Sequence, residues 1–183
     1  MSQEISSPDA IRLLDNELSR YPHKRKALVT LQMFATMPPV VRELIKQTRD
    51  DILWIVRHHP KTRGKMAQSD LGPNVLMSKN VDDVLLVSLF DKVDFHFSET
   101  SSSIFEADYF GVYNYICSAE GLTNYKHYID AGLAGYCTMT NVDEIVQEIR
   151  DGDDFEKHPR LNYISRVNLE EVLHELRYGK PLI

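Results

Sequence analysis

The sequence predicts an all-α protein in which an N-terminal helix-turn-helix domain is followed by a second helical region. Apolar residues recur at intervals of three and four over most of the chain, which is the spacing that buries one face of a helix. Prolines and capping residues separate these periodic segments. We place the domain boundary near residue 70, between a basic domain over residues 1–70 and an acidic helical domain over residues 71–183.

The composition is that of a folded globular chain, with 43% hydrophobic and 26% charged residues among 183. No apolar run approaches the roughly 20 residues that a membrane-spanning helix needs. The polar N-terminus is neither a secretory signal nor a transit peptide. The two cysteines, Cys117 and Cys137, form no disulfide framework and supply half of a structural zinc set. These features predict a cytoplasmic protein without a membrane segment, a metal ion or a cofactor.

The net charge of −6 conceals a strong asymmetry along the chain. Between Arg20 and Met66 there are eleven Lys/Arg and three Asp/Glu residues, a net charge of +8, while the rest of the chain carries −14. A local basic excess favours an anionic partner such as nucleic acid, even where the whole chain is acidic. A solvated basic face without a partner is the alternative interpretation.

The first elements are delimited by prolines and capping residues. Ser7 and Pro8 suit the N-cap and the first position of a helix. Apolar periodicity predicts a second helix over residues 24–35. Pro38 and Pro39 lack the N–H that a helix interior requires, so they begin a new element.

Residues 39–59 have the plan of a helix-turn-helix, which is a short supporting helix, a tight turn and a second helix that enters the major groove. The supporting helix is predicted over residues 39–45, the turn over residues 46–48 and the recognition helix over residues 49–59. Apolar residues fall where the two helices would pack together, and basic residues fall at their edges. We therefore expect this segment to bind double-stranded DNA.

Two kinds of DNA contact are expected. Basic residues that flank the recognition helix suit phosphates, which position a protein without reading sequence. Exposed residues early in that helix suit base edges, because arginine can bind guanine through two hydrogen bonds and an acid can accept one from cytosine. The predicted DNA-binding residues are Arg42, Lys46, Gln47, Thr48, Arg49, Asp50, Arg57, His58, Lys61, Arg63 and Lys65.

The second region begins with a connector over residues 61–79, which contains glycine and proline and lacks steady periodicity. The next segment starts as a helix at Asn80, although its β-branched residues leave a strand open. Capping boxes at Asn141 and Asn168 open two late helices. One helix is predicted to start at residue 80. Four more are predicted over residues 104–119, 125–136, 142–150 and 169–178.

Residues 104–119 form the most amphipathic of these segments. A small helical domain does not easily bury such a long apolar stripe alone, so we expect it to pack against a partner subunit. Burial in the protein's own core is the competing interpretation. The predicted interface residues are Phe105, Tyr109, Val112, Tyr113 and Ile116.

The basic third also carries a family resemblance. The stretch ALVTLQMFATMPPVVRELIKQTRDDILWIVRHHPKTRGKMAQSD resembles the DNA-binding core of FlhC-type activators, the larger subunit of the flagellar master regulator, and of SetC- and AcaC-type activators of conjugative elements. The resemblance implies a transcription activator that works with a small helical FlhD-like partner subunit and contacts RNA polymerase. It also implies that Arg49 and the basic residues through Lys65 face DNA.

The C-terminal half departs from that family. FlhC carries a four-cysteine zinc site there, and the two cysteines of this chain cannot supply one. Either the chain is a zinc-free branch of the family, or the resemblance reflects the helix-turn-helix alone.

Three other function classes are open. An enzyme is not expected, because the chain has no Gly-rich phosphate loop, no G-x-S-x-G elbow and no H-E-x-x-H motif. The principal alternative is a non-enzymatic helical module, similar to the N-terminal domain of the TFIIS elongation-factor type, that binds peptides of the transcription machinery. A protein whose basic third binds an acidic partner is the third hypothesis.

Overall fold

Short runs of mostly apolar residues join into one parallel sheet. The computed structural model describes residues 8–21, 25–33, 36–63, 66 and 71–151. Within these ranges the sheet has six strands, and each pairs with its neighbours in parallel. The strands are β1 (Arg25–Thr30), β2 (Ile52–Arg57), β3 (Val75–Leu76), β4 (Phe95–Ser98), β5 (Tyr113–Ile116) and β6 (Ala134–Tyr136).

Helices connect successive strands and cover the sheet. A short 3₁₀ segment, Pro60–Thr62, follows β2. The α-helices of the described residues are α1 (Pro8–Leu18), α2 (Pro39–Gln47), α3 (Lys79–Asp83), α4 (Leu86–Phe90), α5 (Ser103–Tyr109), α6 (Ala119–Asn124), α7 (Lys126–Asp130) and α8 (Val142–Asp151). The fold class is therefore α/β, and the prediction of an all-α protein with a helix-turn-helix is wrong.

The strand order is β3-β2-β1-β4-β5-β6. The chain begins in the middle of the sheet, builds outward through β2 and β3, and then returns to add β4, β5 and β6 on the other side of β1. This is the order of a doubly wound, Rossmann-like sheet. The boundary predicted near residue 70 falls between β2 and β3, whose pairing joins Trp54 to Val75 and Ile55 to Leu76.

The second predicted helix (residues 24–35) and the recognition helix (residues 49–59) are strands β1 and β2. Residues 52–56 of β2 are completely buried. A strand in the middle of a parallel sheet is covered on both faces, so it reads as a continuous apolar run and lacks the alternation of a half-exposed strand. Such a run also satisfies a helical spacing by chance, which is why both segments were misread.

Alternate residues of the strands feed two core layers. Trp54 packs with α2 and α8 on one face of the sheet, while Leu53 and Ile55 pack with α1, α3 and α4 on the other. A third, smaller cluster around Ile116 lies under α6 and α7. Because both faces are covered, ligands can reach the sheet only at its edges.

The helices predicted over residues 104–119 and 125–136 are correct only in their first parts. α5 ends at Tyr109, where Gly111 takes a φ of 71° and turns the chain into β5. α7 ends at Asp130, where Gly132 takes a φ of 69° ahead of β6. Glycine adopts this left-handed conformation without the steric cost that other residues meet, so it ends a helix efficiently.

Other predicted helices are confirmed. The first helix is α1, the supporting helix is α2, and the helix predicted over residues 142–150 is α8. The segment from residue 80 contains α3 and α4 and then continues as β4, so its alternative as a strand was correct in part. Ser7 and the helix predicted over residues 169–178 lie outside the described residues. In the described ranges, no helix combines the length and apolar character needed to cross a membrane.

Candidate functional site

The strand order reverses between β1 and β4, which lie side by side in the sheet. After β1 the chain passes to α2 on one face, and after β4 it passes to α5 on the opposite face. In an open α/β sheet, connections that diverge in this way leave a crevice beyond the carboxyl ends of the two strands. In open α/β sheets, ligands bind at such a switch point.

Hydroxyl groups lie together at the carboxyl ends of these two strands. Thr30 is the last residue of β1 and Ser98 the last of β4, and their side-chain oxygens are 3.2 Å apart. Ser103 opens α5, with its Oγ 3.5 Å from Thr30 Oγ1, and it donates to Ser101 Oγ over 2.7 Å. We call Thr30, Ser98, Ser101 and Ser103 the hydroxyl cluster. Thr30 lies 68 residues from Ser98 in the sequence, and the pairing of β1 with β4 brings it next to the three serines.

A buried histidine supports the hydroxyl cluster. His96 lies on β4, two residues before Ser98 and therefore on the same face of the sheet. Asn114 Nδ2 donates to the carbonyl of Ile104 over 3.1 Å, so its Oδ1 accepts from His96 Nδ1 over 2.7 Å. This arrangement leaves Nε2 of His96 as the acceptor for the hydroxyl of Thr30, at 2.9 Å.

Burial keeps this histidine neutral. His96 is fully buried, and desolvation of its charged form lowers the pKa from 6.5 to about 4, although the hydrogen bond to Asn114 acts in the opposite direction. At neutral pH the ring therefore orients the Thr30 hydroxyl without adding a positive charge to the crevice.

Arg57 places a cation beside the hydroxyl cluster. It ends β2 and is the register partner of Thr30, so the two side chains leave adjacent strands on the same face. Burial lowers the pKa of the half-buried Arg57, while the charges of Asp82 and Glu106 raise it. Its Nη1 is buried and has no hydrogen-bond partner within the described part of the chain. A buried polar atom of this kind is suited to a charged acceptor.

A second polar group holds the segment that follows β2. The backbone N–H of His58 donates to Oδ1 of Asp82, and His58 Nδ1 lies 2.9 Å from Oδ2 of the same carboxylate. Arg63 binds the carboxylate of Asp83 at 2.8 Å. These residues border an open cavity of about 480 Å³ at the carboxyl ends of β2 and β3. The His58–Asp82 and Arg63–Asp83 pairs connect the segment after β2 to α3 and so fix the position of Arg57.

The structure distributes the residues predicted to bind DNA over several elements. Thr48 is buried, and its hydroxyl accepts a hydrogen bond from Trp54 Nε1 at 2.9 Å, so it cannot face a base edge. Lys65 lies outside the described residues. The others are Arg42, Lys46 and Gln47 on α2, Arg49 and Asp50 in the turn after it, Arg57 and His58 at the end of β2, and Lys61 and Arg63 in and after the 3₁₀ segment.

The predicted partner interface is also divided between elements. Phe105 and Tyr109 lie on α5 and are 43% and 53% exposed. Val112 and Ile116 are buried in the protein's own core, and Tyr113 is half-buried at the start of β5. These residues do not form one helical stripe, because the chain changes from helix to strand between them.

The described residues contain no group of three or more His, Cys, Asp or Glu side chains arranged to hold a metal ion. The site at the switch point is instead built from hydroxyl groups, a neutral histidine and one arginine.

Solved structures resemble this chain, whereas no protein-family model and no curated protein matches its sequence. It is similar to the spinosyn rhamnosyltransferase SpnG, with a TM-score of 0.54 and 14% identity over 76% of this chain and 40% of that one. A protein from Listeria monocytogenes assigned as a UDP-N-acetylglucosamine 2-epimerase gives a TM-score of 0.56 and 18% identity, over 87% and 43%. The wall teichoic acid polymerase TagF gives 0.54 and 14%, over 95% and 50%.

These likenesses establish the fold of this chain, which is a Rossmann-like α/β fold. The chain spans between 40% and 50% of the length of these three neighbours. It therefore corresponds to about half of each.

The same neighbours overturn several expectations drawn from the sequence. The resemblance to FlhC-type activators is wrong, because those neighbours and this chain are parallel α/β folds. Three further expectations are wrong for the same reason: the activator function, the predicted partners (duplex DNA, an FlhD-like subunit and RNA polymerase) and the helical TFIIS-like alternative. The expectation of a non-enzyme is also contradicted, because the fold is one that enzymes have.

Of the residues at the switch point, Arg57 was among those predicted to bind DNA, and the others were absent from the predicted site. Thr30 ends one apolar run that was predicted to be helical, His96 lies inside another, and Ser103 lies in the polar break that follows it. The available signal was the polar run SETSSS, which comes directly after the apolar residues of β4. In an α/β sheet, polar residues that end a buried strand lie at the ligand-binding edge.

Proposed function

We propose that this chain is a Rossmann-like domain of a glycosyl-transfer enzyme, and that the crevice between β1 and β4 binds the diphosphate of a nucleotide-linked sugar. One observation carries the proposal: the hydroxyl cluster and Arg57 lie together at the switch point, on one face of the sheet. The arrangement is local, so the net negative charge of the whole chain does not argue against an anionic ligand at this position.

The chemistry of the crevice suits a diphosphate. Phosphate oxygens accept hydrogen bonds, and the hydroxyl groups of Ser98 and Ser101 can donate them. The guanidinium of Arg57 adds charge-assisted hydrogen bonds, which are roughly twice as strong as neutral ones. Neutral His96 accepts the hydroxyl proton of Thr30 and so fixes the orientation of this side chain beside the serine hydroxyl groups.

The similar structures point to the same class of substrate. A rhamnosyltransferase and a UDP-N-acetylglucosamine 2-epimerase catalyse different reactions, but both reactions involve an activated sugar. Because the chain spans at most half of these neighbours, we propose that it supplies the nucleotide-binding part of the reaction. The acceptor would then be bound by another domain or subunit.

Calorimetric titration with UDP, CDP and GDP tests the proposal. We expect at least one of these nucleotides to bind, and Arg57→Ala to weaken its binding at least tenfold, because a charge-assisted hydrogen bond contributes about 1.5–3 kcal/mol. Arg12→Ala is the matched control, since Arg12 is exposed on α1 and pairs only with Asp9 among its described contacts. It removes the same charge and should leave binding unchanged.

Two results would contradict the proposal. One is that none of the three nucleotides binds the folded chain. The other is that Arg57→Ala and Arg12→Ala have equal affinities, which would place any binding away from the crevice. Product analysis after incubation with UDP-N-acetylglucosamine and candidate acceptors then separates sugar transfer from epimerisation.

A further inference from the structure

Cys117 and Cys137 occupy matching positions on neighbouring strands. Each directly follows its strand, and the residues before them, Ile116 of β5 and Tyr136 of β6, are register partners. The backbone N–H of Cys137 donates to the carbonyl of Ile116 over 2.8 Å, so the pairing of the strands extends to the cysteines. Register partners point to the same face of a sheet, and neighbouring strands are about 4.8 Å apart.

The surroundings of the two thiols agree with this placement. Both belong to the core layer formed with α2 and α8, where Cys137 is buried and Cys117 is half-buried. Burial raises the pKa of the Cys117 thiol, and so does a hydrogen bond with Cys137. Both cysteines are free thiols in this structure, and they are each other's neighbours.

We infer that Cys117 and Cys137 are an oxidation site, at which a reversible disulfide bond joins the carboxyl ends of β5 and β6. A disulfide needs Cα atoms about 4.4–6.8 Å apart and Cβ bonds that do not point apart, and residues that face each other on adjacent strands meet both conditions. The bond can therefore form while the two strands stay paired.

A small-molecule disulfide such as oxidised glutathione is the oxidant. Cys117, the more exposed thiol, attacks one glutathione sulfur as the thiolate, so that the glutathione S–S bond breaks and one glutathione thiolate leaves with the proton that Cys117 lost. Cys137 then attacks Sγ of Cys117, and the second glutathione leaves as a thiol with the proton of Cys137. The protein loses two protons and two electrons, and the oxidant gains them.

The raised pKa of Cys117 makes this reaction slow at neutral pH, because only the thiolate is nucleophilic.

The disulfide bond between Cys117 and Cys137 changes the stability of one edge of the sheet. The bond closes a loop that contains α6 and α7 and ties the edge strand β6 to β5. Closing a loop of this length lowers the equilibrium constant for unfolding by roughly 100-fold in the chain-entropy account.

The test is to incubate the full chain, without denaturant, in mixtures of reduced and oxidised glutathione and to follow intact mass and free thiols. We expect a monomer that loses both thiols and two hydrogen atoms, with a linked peptide pair containing Cys117 and Cys137. Its urea midpoint should rise and return to the original value when a reducing agent is added.

Cys117→Ser and Cys137→Ser are the matched controls. Each retains one cysteine, so neither can form the bond, and neither should gain stability under oxidising conditions. The inference is overturned if the wild-type chain keeps both thiols, if it accumulates glutathione adducts without closing the bond, or if only disulfides between two copies form. Each of these outcomes is read from the wild-type protein, so none depends on the folding of a variant.

Discussion

The side chain of His96 illustrates how a polar group can be buried without a charge. Its ring accepts from Thr30 and faces Asn114, whose amide is in turn fixed by the carbonyl of Ile104. The network satisfies both ring nitrogens, so burial costs little while the ring is neutral. Protonation would place a cation in the core and remove the acceptor that Thr30 uses.

We expect this histidine to make the protein sensitive to mild acid. The pKa of His96 is about 4 in the folded state, and 6.5 is the value for a histidine that is not buried. Between these values the unfolded chain binds more protons than the folded one, so stability is complete above pH 6.5 and falls as the pH approaches 4. The loss amounts to about 3 kcal/mol at the low end. Urea unfolding at a series of pH values measures it.

His96→Gln removes the titrating group, and its stability should lack this part of the pH dependence. The control is His127→Gln, because His127 is exposed on α7 and should leave the pH dependence unchanged. Equal slopes for wild-type protein and His96→Gln between pH 6.5 and 4 would show that other groups cause the acid sensitivity.

At the scale of elements, the helices were predicted better than the strands. α2 and α8 each bury one face and expose the other, so their periodicity is visible in the sequence; in α8 the buried positions are Val142, Ile145, Val146 and Ile149. β1 and β2 are buried on both faces, so they have no polar face to reveal a period of two. The useful signal was the enrichment of β-branched residues in short runs.

The packing of α6 depends on the absence of a side chain at Gly121. A Cβ built there would lie 1.9 Å from the backbone carbonyl oxygen of Glu99 and 2.6 Å from a methyl group of Ile116. Because a backbone carbonyl cannot rotate away, α6 would have to move. We expect Gly121→Ala to cost about 3 kcal/mol of stability or more, measured by urea unfolding.

Gly132→Ala is the comparison for that substitution. Gly132 has a φ of 69° and no atom within 4 Å of a Cβ at its position, so the cost is conformational alone. We expect about 1–2 kcal/mol, the cost of the left-handed conformation for an L-residue. If Gly132→Ala were the more destabilising of the two, close packing of α6 on the loop after β4 would not be the important constraint.

At the scale of the whole molecule, β2 and the last described helix, α8, share one core layer. The layer that contains Trp54 of β2 also contains Ile149 of α8, and Arg150 binds Asp51 at 2.8 Å beside it. We expect Ile149→Ala to destabilise the protein by about 2–4 kcal/mol in a single transition, since it leaves a cavity in that layer. Arg150→Ala should cost less than about 1 kcal/mol, because both partners of its ion pair are exposed.

Fluorescence of Trp54, the one tryptophan of the chain, and circular dichroism should report the same transition in both variants. Separate transitions by the two probes would favour independent units on either side of residue 70.

The site was harder to predict than the elements, for a reason of topology. Basic residues that cluster in sequence are spread in space, since Lys26 lies at the amino end of β1 while Arg57 lies at the carboxyl end of β2. Conversely, Thr30 and Ser98 are 68 residues apart and within hydrogen-bond distance. Local charge and spacing cannot reveal such a site until the strand order is known.

The crevice between β1 and β4 owes its position to the path of the chain and not to the identity of the side chains around it. As long as the connections after those two strands leave toward opposite faces, an opening exists there. The residues that end the strands can therefore change without loss of the opening. In a fold of this kind, selectivity and foldability are separately adjustable, because the ligand contacts come from a few side chains at strand ends.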